Sequence, residues 1–301
     1  MITCVSIAKN EAENIGPFIQ SLDGLYDSLI IVDTGSTDDT VKIAKEYGAE
    51  VVKIKWENFG QARQEASELV KDGWIVMFDC DVTLREAKKL RSYIGKVPDD
   101  IDVIRIMHNG PCNHIMQHER IWRAGKAVWK FRVHERLCYQ GKLKVIEDIK
   151  VVHPGDYGRN TGNYMADLLA DVQDHPLDAG RNYYLGREYY YANDIKGIEY
   201  LCKCGRISQW TEEAAMALVF AARLICQHID REMGLYLLKR AIKKAPHMRE
   251  PLYTCAQWAL DEKLRKLAAI AALSNERTSY FDCEPHMYEK KATTWLNKIA
   301  S

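Results

Sequence analysis

The chain has 301 residues, of which 47% are hydrophobic and 28% are charged, with 42 basic and 42 acidic side chains. Such a composition can bury a sizeable core, so it excludes a disordered chain, and the zero net charge excludes a global attraction to polyanions. Nine cysteines without zinc-type spacing indicate reduced thiols in a cytoplasmic protein, and no apolar run reaches the roughly 18 residues of a transmembrane segment.

The first half of the chain alternates strand-like and helix-like patterns. Apolar, β-branched segments predict strands at residues 2–8, 28–33, 50–55, 73–78 and 102–107. Amphipathic segments between them predict helices at residues 13–22, 38–47, 59–71 and 84–94. Because this alternation requires right-handed crossovers, it predicts an α/β domain with a mostly parallel sheet covered by helices.

The second half, from about residue 165, carries helical patterns alone. Ala222 and Ala256 are 34 residues apart, and Ala241 and Pro246 fall at the spacings of a helix-turn-helix repeat of that length. A looser copy lies one period upstream, at residues 185–189. Small residues at these positions let paired helices approach closely, which predicts a short tetratricopeptide-like (TPR-like) array. A generic α-helical bundle is the alternative.

Two acidic residues end the fourth predicted strand. Asp79 and Asp81 follow the apolar run at residues 74–78, and ligands of open α/β sheets bind at the carboxyl edge of the strands. Two carboxylates so close together repel each other unless a divalent cation or a proton lies between them. The pattern therefore predicts an enzyme that uses a pair of carboxylates.

Three segments that end strands share a family resemblance. Residues 6–11, 31–38 and 79–81 together resemble glycosyltransferase family 2, which has the GT-A fold. Residues 58–64 are similar to the Asn-Phe-x-x-Ala-Arg-Asn element of one branch of that family, except for Gln64 in place of Asn, and a His-Glu element follows at residues 134–135. That branch includes lipopolysaccharide-core transferases and peptide S-glycosyltransferases, and it often carries C-terminal helical repeats.

The resemblance implies a GT-A domain over residues 1–155 and an all-α, TPR-like domain over residues 156–301. It implies a metal-dependent inverting glycosyltransferase, of the hexosyltransferase type, that uses a nucleotide-sugar donor, most simply a UDP-sugar. Mn²⁺ or Mg²⁺ would neutralise the leaving diphosphate, with Asp81 as ligand. His153 is similar to a late histidine of the family that can complete the metal shell, although a buried structural histidine is the alternative.

The resemblance also implies a set of donor-binding residues at the same sheet edge. They are Asn10, Glu11, Asp33, Asp38, Arg63 and Asp79. Asp79 would accept hydrogen bonds from donor hydroxyls, Asp33 would hold the nucleoside, and Arg63 would reach uracil or a phosphate. Asp38 could instead cap its helix, and Arg63 could be a solvated residue that pairs with a nearby acid.

For the acceptor, the sequence predicts Glu135 as the general base, with His134 either orienting it or acting instead. Phe131 and Trp129 could contact sugar faces, although a core position is the simpler prediction for Phe131. The acceptor could be a glycan, a peptide, a small molecule or a modified nucleic-acid base. The helical repeats could bind it, or they could form a homodimer.

Two other functions fit parts of the sequence. Residues 78–84 resemble the nucleophile loop of haloacid-dehalogenase-like phosphohydrolases, in which Asp79 would attack phosphorus and Asp81 would act as acid and base. That loop, however, follows the first strand in such enzymes, whereas here it follows the fourth predicted strand. The other alternative is a non-catalytic helical-repeat scaffold that recruits a protein or peptide.

Overall fold

The structure is a computed structural model, and it describes residues 1–109, 115–152, 164–275 and 290–301. The chain divides into two compact units, Met1–Asn160 and Thr161–Ser301. The predicted boundary after residue 155 falls outside the described ranges and stays a prediction. Among the residues that the structure describes, no helix has the length and apolar character needed to cross a bilayer.

The first unit is an α/β domain. Its strands are β1 (Ile2–Ala8), β2 (Ser28–Asp33), β3 (Glu50–Lys53), β4 (Trp74–Val76), β5 (Thr83–Leu84), β6 (Ile101–Asn109), β7 (Ile115–Arg123), β8 (Ala127–Lys130), β9 (Arg136–Tyr139) and β10 (Lys142–Val152). Its helices are α1 (Ile15–Ser21), α2 (Thr40–Glu46), α3 (Phe59–Glu68) and α4 (Ala87–Ile94). Within the described ranges, eight strands form one sheet in the order β3-β2-β1-β4-β7-β6-β10-β5, and β8 pairs with β9 in a second sheet.

The first four strands form the parallel part of the sheet, with β1 at its centre. Both faces of β1 are covered, which explains its continuous apolar sequence. Cys4 belongs to a core cluster with Phe18 of α1 and Leu90 of α4, whereas Val5 belongs to a cluster on the other face with Ala66 of α3. The prediction of a mostly parallel sheet covered by helices is therefore confirmed.

The remaining strands make the sheet mixed. β7 lies between β4 and β6 and is antiparallel to both, and β10 runs parallel to β6. The register between β6 and β7 shifts once: Ile104 pairs with Ile121, but Arg105 pairs with Glu119. Arg120 is thus the extra residue of a β-bulge, a feature that bends a strand and redirects a side chain.

The second unit is helical in its described residues. Its helices are α5 (Met165–Asp174), α6 (Ala179–Tyr191), α7 (Gly197–Ile207), α8 (Thr211–His228), α9 (Arg231–Lys244), α10 (Arg249–Trp258), α11 (Glu262–Ser274) and α12 (Lys290–Ala300). The small residues of the predicted repeat, Ala222, Ala241 and Ala256, are fully buried. Gly234 packs so closely that a Cβ there would meet Cys226 Sγ at 2.1 Å. The predicted pairs of closely packed helices are confirmed.

Candidate active site at the carboxyl edge of the sheet

The loops that follow β1 and β2 are joined by side-chain hydrogen bonds. The backbone amide of Asn10 donates to Ser36 Oγ (3.0 Å), and the backbone amide of Thr37 donates to Asn10 Oδ1 (2.8 Å). Asn10 has a φ of 55°, in the left-handed region that Asn tolerates better than most residues. The side chain predicted to bind the donor is thus used here to fix one loop against the other.

Asp38 has a similar linking role. Its Oδ2 accepts from the amide of Ala12 (3.1 Å), and its Oδ1 accepts from the amide (3.0 Å) and the hydroxyl of Thr40. The hydrogen bond from the Thr40 hydroxyl is the main reason why the pKa of Asp38 is lowered. Helix α2 is capped at Asp39, without a side-chain hydrogen bond, so Asp38 is not its N-cap residue. Asp33 is buried at the end of β2, where its Oδ1 accepts from the amide of Ser36 (2.9 Å).

The start of helix α3 explains most of the motif at residues 58–64. Asn58 is the N-cap, and its Oδ1 accepts from the amide of Gln61 (2.8 Å). The amide of Phe59 donates to the carbonyl oxygen of Arg132 (3.0 Å), and Gln64 Oε1 accepts from the amide of Trp129 (2.8 Å). The helix therefore holds the segment that leads from β8 to Glu135.

Gly60 permits this close packing. A Cβ at residue 60 would lie 1.9 Å from the carbonyl oxygen of Phe131, a distance that real atoms do not adopt. Phe131 and His134 have positive φ angles of 73° and 46°, so the segment turns sharply after β8. Phe131 lies beyond the end of β8 and is only half-buried, so its predicted place in the core is wrong.

Arg63 connects the predicted acid pair with the predicted base. Its Nη2 donates to Asp79 Oδ1 (2.6 Å), and its Nε donates to Glu135 Oε1 (2.5 Å). Its guanidinium carbon lies 5.4 Å from the centre of the Trp129 ring, within range of a cation–π contact. Burial disfavours the charge, but Asp79 and Glu135 outweigh it and raise the pKa of Arg63.

Arg120, the bulged residue of β7, completes this cluster. Its Nη2 donates to Asp79 Oδ2 (3.0 Å), so each oxygen of Asp79 accepts from a different arginine. Burial alone would raise the pKa of Asp79, but Arg120 and then Arg63 hold it far below its ordinary value. Of this cluster, Asp79 and Arg120 line a narrow crevice together with His118 of β7 and apolar side chains.

Other carboxylates gather beside this cluster, around Cys80. After burial, the charges of Glu11, Asp79 and Asp81 are the main causes that raise the pKa of the Cys80 thiol well above its ordinary value. The thiol itself lies 3.4 Å from the carbonyl oxygen of Ile7, at the end of β1. The acids that follow β1 and β4 are thus neighbours, as their positions in the sequence predict.

The chemistry of these donors fits a hard divalent cation. Mg²⁺ and related ions bind one or two protein carboxylates and complete their shell with substrate phosphates and water, and Glu11 and Asp81 offer suitable oxygens. Among the described residues there is no group of three or more His, Cys, Asp or Glu side chains that could hold a metal ion. The other predicted ligand, His153, lies outside the described residues.

The comparison with protein families agrees with this geometry. A family model described as Glycosyl transferase family 2 matches residues 3–153, half of the chain. The chain belongs to this family. Its first unit is therefore a domain of the glycosyltransferase type, with the GT-A fold. The phosphohydrolase alternative is not supported, because the strand before Asp79 is the fourth of the sheet and not the first.

Individual relatives of this family 2 member match different lengths of the chain. An uncharacterized glycosyltransferase of Rickettsia felis is 36% identical over 108 residues, which are 36% of this chain and 35% of that protein. The prophage-derived glycosyltransferase SunS of Bacillus subtilis is 28% identical over 222 residues, which are 67% of this chain and 52% of that protein. The chain thus spans about a third of the length of the first of these relatives and half of the second.

Two further matches are a repeat-containing protein and a solved structure. A TPR repeat-containing protein of Synechococcus elongatus is 34% identical over 98 residues, which are 32% of this chain and 24% of that protein. The crystal structure of glucosyl-3-phosphoglycerate synthase from Mycobacterium tuberculosis with Mn²⁺, UDP and glucosyl-3-phosphoglycerate covers 36% of this chain and 44% of that chain. Its sequence identity is 27% and its TM-score is 0.32.

The structure brings together five of the ten predicted site residues and adds one. Arg63, Asp79 and Glu135 are in direct contact, and Glu11 and Asp81 lie beside them. Arg120 was not predicted, because nothing in the residues around it marks a bulge. Its only signal is a basic residue in a strand whose neighbours, Ile121 and Trp122, are buried.

Proposed function

We propose that this family 2 glycosyltransferase is a metal-dependent inverting enzyme that transfers a sugar from a UDP-sugar to an acceptor hydroxyl or thiol. The observation that carries the proposal is the contact of one guanidinium, that of Arg63, with both Asp79 and Glu135. This contact joins the carboxylates at the end of β4, where the donor would bind, to a carboxylate on the segment after β8. Donor chemistry and proton removal can therefore occur in one site.

On the donor side, Asp81 would hold Mn²⁺ or Mg²⁺, with His153 as the second proposed ligand. The cation supplies positive charge that offsets the negative charge of the leaving diphosphate. Asp33 and Glu11 would contact the nucleoside and ribose, and Asp79 would face the donor hydroxyls. Asn10 and Asp38 would act mainly by fixing the two loops that form the wall of this pocket.

On the acceptor side, Glu135 would act as the base. It takes the proton of the attacking hydroxyl or thiol as the new bond to the anomeric carbon forms and the bond to the diphosphate breaks. Attack from the side opposite the leaving group inverts the configuration at that carbon. His134, the preceding residue, would orient Glu135 or the acceptor.

The donor and the metal can be tested by thermal unfolding with UDP-, GDP- and CDP-sugars, with and without Mn²⁺. A ligand that binds only the folded state raises the melting temperature, and a concentration about 100 times its Kd adds about 2.7 kcal/mol. We expect a Mn²⁺-dependent rise with a UDP-sugar, and its loss in Asp81→Ala. Asp72 is an exposed acid just before β4, the strand that Asp81 follows, so Asp72→Ala is the matched control. An equal rise in Asp81→Ala and the parent protein would contradict the metal role.

The base can be tested by steady-state release of UDP from the UDP-sugar that binds, with water as the acceptor. Glu135→Gln should bind Mn²⁺ and UDP as the parent protein does, because it keeps the shape of the side chain. Its turnover should fall by about 10²–10⁴-fold, the usual contribution of a general base. Turnover equal to that of the parent protein would remove Glu135 as the base.

We further infer that residues 1–155 form the catalytic domain and residues 156–301 a domain that binds the acceptor or a second copy of the chain. The proposal applies equally to an acceptor that is a glycan, a peptide, a small molecule or a modified nucleic-acid base. Sedimentation of the full chain over a range of concentrations distinguishes the two roles of the repeats. A strictly monomeric protein would exclude the homodimer.

A further inference from the structure

The bulge in β7 places Arg120 at the candidate active site. On either side of it, Ile121 pairs with Ile104 and Glu119 pairs with Arg105, so Arg120 has no partner residue on β6. Its carbonyl oxygen accepts from the amide of Met77 (2.9 Å), two residues before Asp79. An unbulged strand would leave this side chain in register with a β6 residue, whereas the bulge turns it towards the end of β4.

Arg120 and Arg63 together fix the orientation of Asp79. Arg120 holds Oδ2 and Arg63 holds Oδ1, so the carboxylate cannot rotate without breaking a charge-assisted hydrogen bond. Asp79 in turn anchors one arm of the Arg63 fork, whose other arm holds Glu135. The four side chains form a chain of contacts that runs from the bulge to the proposed base.

Stability alone does not account for this cluster. Two guanidiniums and two carboxylates balance in charge, but Nη1 of Arg63 and Nη1 of Arg120 are both buried and have no hydrogen-bond partner in the part of the chain that the structure describes. Unmade hydrogen bonds of buried donors are costly, and apolar side chains of similar volume are often at least as stable as a buried ionic cluster. An orienting role explains why charged groups occupy these positions.

We propose that Arg120 is a positioning residue of the transfer reaction, which acts through Asp79 and Arg63 to hold Glu135 in place. This inference rests on the proposed function, because it assigns Arg120 to the proton-removal step and not to donor binding. Loss of Arg120 should therefore lower turnover while leaving donor affinity nearly unchanged.

The kinetic test compares Arg120→Gln and Arg120→Lys with Arg123→Gln. Arg123 lies on the same strand, but it packs on Trp74 at the start of β4, away from Asp79. The probes are UDP with Mn²⁺ for affinity and Mn²⁺-dependent hydrolysis of a UDP-sugar for turnover. For Arg120→Gln we expect kcat to fall by about tenfold or more, with KM and the Kd for UDP within about threefold of the parent values.

The two other variants decide between a positioning role and a structural one. Arg120→Lys keeps the charge next to Asp79 and should recover most of the lost kcat, and Arg123→Gln should keep the parent kcat. A kcat of Arg120→Gln within twofold of the parent value would overturn the proposal. A parallel loss of UDP affinity, or no recovery in Arg120→Lys, would overturn it too.

A crystal structure of Arg120→Gln tests the positioning role without a donor. We expect the guanidinium of Arg63 to shift and Glu135 to leave it. If the contact between Arg63 and Glu135 is unchanged, the positioning role is wrong even if the parent protein turns over UDP-sugars. If the contact is lost but no UDP-sugar binds the parent protein, the coupling holds and the proposed donor is the part that fails.

Discussion

Replacing Gly60 by alanine should displace the segment that carries Glu135. The added Cβ would lie 1.9 Å from the carbonyl oxygen of Phe131, a backbone atom that cannot rotate away as a side chain can. The backbone amides of Phe59 and Gly60 both donate to the carbonyl oxygen of Arg132, the residue after Phe131, so these hydrogen bonds must lengthen as well. Helix α3 and the segment would have to separate by about 1 Å or more.

The clash between the added Cβ and the carbonyl oxygen of Phe131 sets the expected losses of stability and turnover. Overpacking of this kind costs about 1–3 kcal/mol of unfolding free energy. A displacement of about 1 Å at a catalytic group can lower turnover by about 10²-fold. Gly60→Ala should therefore fold with reduced stability and lose far more activity than its stability loss explains.

Urea denaturation and Mn²⁺-dependent UDP release measure the two effects separately. Gly95→Ala is the matched control, because its Cβ would meet the carbonyl oxygen of Arg91 at 3.5 Å, an ordinary contact. It should keep full turnover and lose no stability, since alanine restricts the unfolded chain more than glycine does. If Gly60→Ala matches Gly95→Ala in both assays, the packing of α3 on this segment does not control the site.

Two further predictions concern stability. Gly234→Ala should lower the urea midpoint by the equivalent of about 1–3 kcal/mol, because its Cβ would meet Cys226 Sγ and the carbonyl oxygen of Ala222 (2.8 Å). An unchanged midpoint would show that α8 and α9 can separate freely. Asp27 accepts from Arg91 and from the amide of Ile2 (2.7 Å), and these bonds lower its pKa. The stability that the Asp27 carboxylate contributes is therefore fully present above its ordinary pKa, and it is lost as the pH falls below that value. Asp27→Asn should melt below the parent protein at pH 7, and the gap should narrow as the pH falls below about 4. A gap that persists at low pH would contradict this linkage.

The sequence predicts the parallel part of the sheet well, because its signals are local. β1 and β2 are continuous apolar runs, and the predicted bounds of both are confirmed. The helices are present but shorter than predicted, since α1 and α2 each begin two residues later. Before α2, Asp38 binds the backbone amide of Ala12 in the neighbouring loop and does not continue the helix.

The mixed part of the sheet is harder to predict because its strands pair over long distances. β7 contains Gln117, His118, Glu119 and Arg120 in succession, without the alternation of polar and apolar residues that marks a half-buried strand. It becomes a strand only because β4 and β6 provide partners on both sides. For the same reason, the sequence places Asp79 at the site but does not reveal which side chains hold it.

The closely packed helix pairs also affect how the C-terminal unit can change in evolution. In repeat proteins each pair rests mainly on the pairs next to it, so a whole pair can be gained or lost without rebuilding a distant core. Ala222 and Ala256, which are 34 residues apart, are both fully buried, as expected for equivalent positions of two repeats. Homologues with longer or shorter arrays can thus arise by duplication or deletion of single units, while the sheet and its catalytic edge keep their sequence.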